Sequence, residues 1–411
     1  MSHIVKDFLY LIIFFSSLFT YAQSRIGFHL PYGEKSVEIP IELYSNLIAI
    51  PVTINGYLTL KFILDSGAES VILTEKLFGD FLGLDYSRTI DISGPGVEDS
   101  LRAYVATNIY MSLPGNVRAR GLNMLVLEQD YLQLKKNLGD EIYGIIGYDV
   151  FSRFVVEIDY DHQILRLHDP DMYRPRRNFT RIPLDIEFTK PYVETRISQG
   201  DEKDSVRLLV DTGASHSILL DVSNTDDIVM PDEVIEVRLG RGLGGEIPGN
   251  LGRMDKFELS EFSFSKILTS IPLEGVYMKA IKRGSRHGTM GGDLLRRFKV
   301  VLDYQNSSMY LRKGSQFRDP FEFDMSGITL TSEGDHSDTL VVSRVREDTP
   351  AYRVGIQKDD IILSINGTFF KNTTLSDVHA LFRKRPGKKI RLVLLREGEK
   401  KVIKFQLERM I

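Results

Sequence analysis

Apolar residues in this chain gather into runs of strand length set between turn-forming residues, a pattern that predicts mainly β-structure. Leu47 to Ile54 and Tyr57 to Leu64 flank Asn55-Gly56, the strongest short signal for a hairpin. Tyr192 to Ile197 and Val206 to Val210 flank a polar turn containing Gly200 and predict a second hairpin of the same kind. Further on, Thr374 followed three positions later by Asp377 predicts the N-terminal cap of a helix over Leu375 to Arg383. Lys389 to Arg396 and Lys401 to Leu407 then predict a closing strand pair around Gly398.

The two hairpins belong to an internal repeat. Lys61 to Leu73 reads KFILDSGAESVIL and Arg207 to Leu219 reads RLLVDTGASHSIL. Ile145 to Tyr160 reads IIGYDVFSRFVVEIDY, and Thr289 to Tyr304 reads TMGGDLLRRFKVVLDY. Asp65 to Gly147 spans 82 positions and Asp211 to Gly291 spans 80, so two motifs recur in order at matched distance. The body is read as a duplication, with a first lobe over residues 23–170, a linker rich in Pro and charge over 171–181, and a second lobe over 182–314. Residues 316–411 belong to neither copy and have the length of one small domain.

Each second hairpin strand runs directly into Asp-Ser/Thr-Gly. A single such motif is common in turns, where Asp accepts backbone hydrogen bonds and Gly supplies positive φ. Two copies, each ending an apolar strand, point elsewhere. A lone buried carboxylate costs several kcal/mol, roughly, and normally finds a partner or a proton. Asp65 and Asp211 can meet that cost by facing each other and sharing one proton, which splits their titration. The ionised member then takes a proton from water while the protonated member donates to a peptide carbonyl.

LDSGAESVIL and VDTGASHSIL resemble the active-site motifs of aspartic peptidases of the pepsin and retropepsin kind. Ile145-Ile146-Gly147 and Thr289-Met290-Gly291 resemble the hydrophobic-hydrophobic-Gly element that packs beneath the active loops, with Thr289 departing from the apolar pattern. The resemblance implies two duplicated retropepsin-like β-barrel lobes forming a pepsin-like bilobal body. It implies Asp65 and Asp211 as the catalytic pair, supported by Ser66, Gly67, Thr212, Gly213, Gly147 and Gly291, with Ser66 and Thr212 bonding across the lobe interface. Ala68 and Ala214 stand where pepsin-like enzymes carry Ser or Thr, which implies a less acidic dyad and an optimum at weakly acidic to neutral pH. Ser93 to Val97 and Gly240 to Gly245 stand at equivalent places and are candidate flaps, with Gly94, Gly96, Gly242 and Gly244 at their tips, or ordinary loops. Asp149, Asp159, Asp293 and Asp303 also recur, but Asp at a strand end more often caps or turns than catalyses. His216 either lines the cleft or serves a turn.

The stretch DTPAYRVGIQKDDIILSING, Asp348 to Gly367, resembles bacterial PDZ domains, with Asp359 where Gly is frequent. A small α+β PDZ-like domain follows from that resemblance, with Gly327 and Ile328 at the carboxylate loop and edge strand and Leu375 to Arg383 as groove helix. Such domains take an extended peptide or a protein C-terminus. The alternative is a structural cap on the second lobe.

Composition narrows the field. The absence of cysteine excludes thiolate catalysis, thiolate metal sites and disulfides. The eight His show no metal-ligand spacing, and no metal or cofactor is expected. A net charge of -4 gives no reason to expect nucleic acid as a partner. Lys6, the apolar run Phe8 to Phe19 and Thr20-Tyr21-Ala22 read as a signal peptide over residues 1–22, so export to the periplasm or beyond is expected, with an uncleaved anchor as alternative. The reading is an exported aspartic-type endopeptidase acting on peptides or proteins, with no membrane span after signal removal. Its alternative is a non-catalytic peptide-binding protein on a peptidase fold. A homodimer in which each copy pairs with another chain also stays open.

Overall fold

The computed structural model describes residues 26–96, 101–221, 228–273, 286–334, 338–370 and 373–411. The segment read as a signal peptide and Val97 of the first candidate flap lie outside the described residues.

The first hairpin forms as Leu47–Ile54 and Leu58–Leu64, with Asn55 and Gly56 both at positive φ, the backbone that a tight turn between twisted strands requires. From Leu58–Leu64 the pairing continues through Ile142–Ile146, Val71–Leu73, Val117–Leu127 and Leu101–Leu113, which returns to Leu47–Ile54 and closes a ring. The second copy repeats that order with Lys190–Gln199, Glu202–Val210, Gly288–Met290, Ile218–Leu220, Phe262–Pro272 and Gly245–Leu259, which returns to Lys190–Gln199. Both hairpin strands of the second copy extend beyond the apolar runs that predict them, because the polar residues 198–204 continue the ladder to a tight turn at Gly200. Each strand that leads into an aspartate pairs in parallel with the strand of its hydrophobic-hydrophobic-Gly element, Leu64 beside Ile146 and Val210 beside Met290.

A further sheet binds the copies together. Its order is Thr180–Pro183, Ser308–Lys313, Phe298–Asp303, Val155–Asp159, Ile164–His168 and Ser36–Pro40, and the copies meet where Val156 pairs with Leu302. Thr180–Pro183 takes the end of the predicted linker into this sheet. Val155–Asp159 and Phe298–Asp303 are buried along their whole length, so their charged positions must be paired. Glu157 accepts from Arg166 Nη1 at 3.2 Å and lies 3.1 Å from His168 Nε2, while Lys299 pairs with Asp159. One apolar core runs through both copies, from Ile50 and Phe62 to Leu208 and Phe257.

The C-terminal unit has its own core, including Leu330, Val342, Val378, Phe382 and Leu392. Its sheet runs Ile328–Glu333, Thr339–Val345, Ile361–Ile365, Lys389–Arg396 and Glu399–Gln406, which leaves Ile328–Glu333 at an edge. The helix forms as Leu375–Phe382 with the predicted cap: Asp377 N donates to Thr374 Oγ1 at 3.1 Å, and Thr374 N donates back to Asp377 Oδ2 at 3.0 Å. The second lobe grips the connection to this unit through Arg253, which donates to Phe321 O at 2.7 Å, and through fully buried Arg297, whose Nη2 donates to Pro320 O at 3.3 Å.

Candidate active site

The two Asp-Ser/Thr-Gly turns face each other across the lobe interface. The backbone fixes the start of each: Asp65 N donates to Ile146 O, and Asp211 N to Met290 O, both at 2.9 Å. Each carboxylate then folds back on its own turn. Gly67 N donates to Asp65 Oδ1 at 2.7 Å, and Gly213 N donates to Asp211 Oδ1 at 2.8 Å. A methyl group on Gly67 would stand 3.2 Å from both Asp65 Oδ1 and Asp211 Oδ2, and one on Gly213 would overlap the Asp65 carboxyl. Only a bare backbone at Gly213 leaves the Asp65 carboxyl its room, and a side chain at Gly67 would crowd both carboxyls.

The hydroxyls next to the aspartates exchange hydrogen bonds between lobes. Thr212 Oγ1 donates to Leu64 O at 2.7 Å and accepts from Ser66 N at 3.0 Å. Ser66 Oγ donates to Val210 O at 2.7 Å and accepts from Thr212 N at 3.0 Å. Both side chains are buried, so four polar groups that water cannot reach are satisfied only by the opposite loop. Tyr304 OH adds a bond to Ser66 O at 3.2 Å.

Burial pushes the Asp65 carboxyl well above the usual carboxylate range, and the neighbouring Asp211, by charge and by a hydrogen bond between the carboxyls, pushes it further. The Gly67 amide and Lys190 oppose this without reversing it. Lys190 is held near the turn by Glu69, 3.2 Å away.

Gly147 and Gly291 underlie the two loops. Tyr148 N donates to Ala68 O at 3.0 Å and Gly292 N to Ala214 O at 2.6 Å, and a side chain on either glycine would press into loop carbonyls. The two glycine-rich segments meet at their tips: Gly96 and Gly244 form a bridge, and Gly244 N donates to Pro95 O at 2.9 Å. The second leans on the first lobe, with Leu243 packed against Ile72, Ala103 and Leu127, and Arg241 Nε donating to Tyr131 O at 2.5 Å.

The remaining sequence candidates take structural positions. Asp159 and Asp303 accept from the amides of His162 and Asn306 and so close turns. Asp293 accepts from Ser217 Oγ at 2.5 Å and from Arg296. Asp149 lies in the first turn of the short helix Tyr148–Phe151. His216 sits inside the second loop, its carbonyl bonded to Asp293 N; Nε2 has no hydrogen-bond partner among the described residues. Burial drops its pKa to about 4.

Sequence reasoning missed Tyr304, although the recurring Asp-Tyr at 159–160 and 303–304 was a signal for it. It also missed Asn46, whose Nδ2 donates to Ser215 O at 2.9 Å, because a turn residue far from either motif carries no mark of that contact. Among the described residues no group of His, Asp or Glu is arranged to hold a metal ion, and no helix is long and apolar enough to cross a membrane.

Residues 50–150 match the family model described as aspartyl protease, and residues 341–396 match that described as PDZ domain. The chain carries an aspartyl protease domain followed by a PDZ domain. No curated protein matches the chain. The protease match spans the first copy with Asp65, and the second copy repeats its strand pairing and its Asp-Thr-Gly turn. Gly327, at positive φ, lies in the loop that opens the edge strand of the PDZ domain, and Ile328 begins that strand.

Proposed function

We propose that this chain is an aspartic-type endopeptidase whose catalytic pair is Asp65 and Asp211. The observation that carries the proposal is the pairing of two carboxyls from two lobes, close enough to share a proton and held there by the reciprocal Ser66 and Thr212 bonds. A scaffold that only bound peptides would gain nothing from so costly a pair. The ionised carboxylate takes a proton from water as its oxygen attacks the peptide carbonyl carbon. The protonated carboxyl donates to the carbonyl oxygen, giving a tetrahedral diol. The carboxyl that took the water proton passes it to the amide nitrogen. The C–N bond breaks as a diol hydroxyl re-forms the carbonyl and gives its proton to the other carboxylate, which restores the single shared proton. The touching glycine-rich hairpins act as flaps over the substrate in this account.

Ala68 and Ala214, which offer no hydroxyl to the carboxyls, support a working pH in the weakly acidic to neutral range. The PDZ domain recruits protein substrates or gates the protease domain, and the N-terminal sequence supports export to the periplasm or beyond. A peptide carrying a statine residue, whose hydroxyl stands for the tetrahedral intermediate, tests the site directly. Calorimetry should show binding to the wild type at least about tenfold tighter than to Asp65→Asn or Asp211→Asn, the scale of a charge-assisted hydrogen bond. Equal affinity for all three proteins would refute the assignment.

A further inference from the structure

The PDZ groove lies between the edge strand Ile328–Glu333 and the helix Leu375–Phe382, and both of its ends are filled by this chain. A PDZ ligand adds a strand to such an edge, and its terminal carboxylate is captured by successive backbone N–H groups of the loop before it. The amides at those positions here are Ser326, Gly327 and Ile328, beside the C-terminal end of the helix, where Met325 N donates to Phe382 O at 3.1 Å. All three are already taken. Asp324 Oδ1 accepts from Ser326 N at 2.9 Å, Gly327 N at 2.8 Å and Ser326 Oγ at 2.8 Å, and Ser326 Oγ in turn accepts from Ile328 N at 3.1 Å. An internal carboxylate thus sits where a ligand carboxylate would bind.

The other end is closed by the protease domain. The short helix Leu134–Leu138 of the first lobe packs against the edge strand. Lys136 Nζ lies 3.6 Å from Glu333 Oε1. A methyl on Gly139 would stand 2.8 Å from Leu375 Cβ and 3.7 Å from Ser332 Cβ, so this glycine touches helix and strand at once. Beside it, Ser45 N donates to Ser376 Oγ at 3.1 Å. The same surface leads to the catalytic pair. Tyr44 and Leu47 pack with Leu138, Lys61 bonds Asp140 at 3.0 Å, and Lys61 lies on the strand Leu58–Leu64 that leads into Asp65.

We propose that the groove is occupied in cis, Asp324 standing in for a ligand carboxylate and the Leu134–Gly139 corner of the first lobe covering the strand edge, so that the chain itself excludes free C-termini. The PDZ domain is then a dock for the first lobe, and a ligand enters only where that dock opens. This deepens the gating role above but rests on the PDZ groove alone, so its failure and that of the catalytic reading are separable.

The test uses the full chain and two matched libraries of ten-residue peptides, apolar over the last four positions, one ending in a carboxylate and the other in a carboxamide. Wild type should retain the two sets equally, since uptake by the catalytic cleft does not depend on a terminal carboxylate. Asp324→Ala with Gly139→Val should retain the carboxylate set at least about tenfold over the carboxamide set, the worth of a charged hydrogen bond. Lys136→Glu, which sets two carboxylates together at the same corner, replaces Gly139→Val if the latter does not fold. Preferential retention of the carboxylate set by wild type overturns the proposal, and so does equal retention of the two sets by the opened variant. The wild-type arm needs no variant and can refute the proposal alone.

Discussion

Thr212→Val removes one half of the exchange that joins the lobes while keeping the shape of the side chain. The wild-type hydroxyl satisfies Leu64 O and Ser66 N, and both residues are buried, so the variant strands a carbonyl and an amide away from water. Each stranded group costs about 1–3 kcal/mol, which puts the loss at about 2–6 kcal/mol, a large share of the roughly 5–15 kcal/mol that holds a domain folded. Urea denaturation followed by far-ultraviolet circular dichroism reads it, since the chain has no Trp to report by fluorescence. With a slope of about 3 kcal/mol per molar, the midpoint should fall by about 0.7–2 M at unchanged slope. Thr212→Ser, which keeps both bonds, should stay close to wild type. Combined with Ser66→Ala, the loss should depart from additivity by about 1 kcal/mol, because the variants break the same loop-to-loop contact. A midpoint within about 0.2 M of wild type for Thr212→Val would show that the exchange does not hold the lobes, and the geometry of the pair would need another cause.

Asp65 is protonated in the folded chain at pH values where the unfolded chain ionises it, so unfolding releases a proton and stability falls as pH rises from the unfolded pKa toward the folded one. Asp65→Asn should accordingly melt higher than wild type at neutral pH, with the gap closing toward pH of about 4, the unfolded value; a gap that widens at low pH contradicts the sign. His216 and His379 have the opposite dependence. Burial takes both down to about 4, so their contribution is present above the unfolded value near 6.5 and is lost as pH falls from there to about 4. Melting temperatures should decline across that window, and the decline should flatten in His216→Asn with His379→Asn. Asn46→Gly keeps a residue that tolerates the positive φ of this turn and removes only the bond to Ser215 O. It should lower kcat on a short peptide about fivefold, the worth of one hydrogen bond, with KM and melting temperature near wild type. An unchanged kcat would remove Asn46 from the positioning of the second loop.

The parts of the molecule written in local pattern were legible before the structure. Asn55-Gly56 marked its turn because few residues accept positive φ, and Thr374 with Asp377 marked a helix start because a cap needs those side chains at that spacing. The repeat exposed both aspartates, since a duplicated site leaves the same chemistry twice in one chain. Contacts between distant segments left no such mark. Asn46 reads as any turn residue, yet its side chain reaches Ser215. Asp324 reads as a charge before a strand, yet it fills the amide loop of the PDZ domain. The hairpin of the second copy runs past its apolar residues, because a ladder continues through polar positions when their backbone groups stay paired. Leu243 and Arg241, on a glycine-rich loop, reach the first lobe only because the two hairpins cross at their tips.

The measurement that tests the catalytic pair most directly is single-turnover cleavage of a diverse peptide library by the chain without residues 1–22, from pH 3 to 8, beside Asp65→Asn and Asp211→Asn. The account predicts that wild type cuts best at weakly acidic to neutral pH and that each variant alone loses at least about a thousandfold, since neither carboxyl can perform both proton transfers. Cleavage that survives in either variant, or none by wild type at any pH, would contradict it.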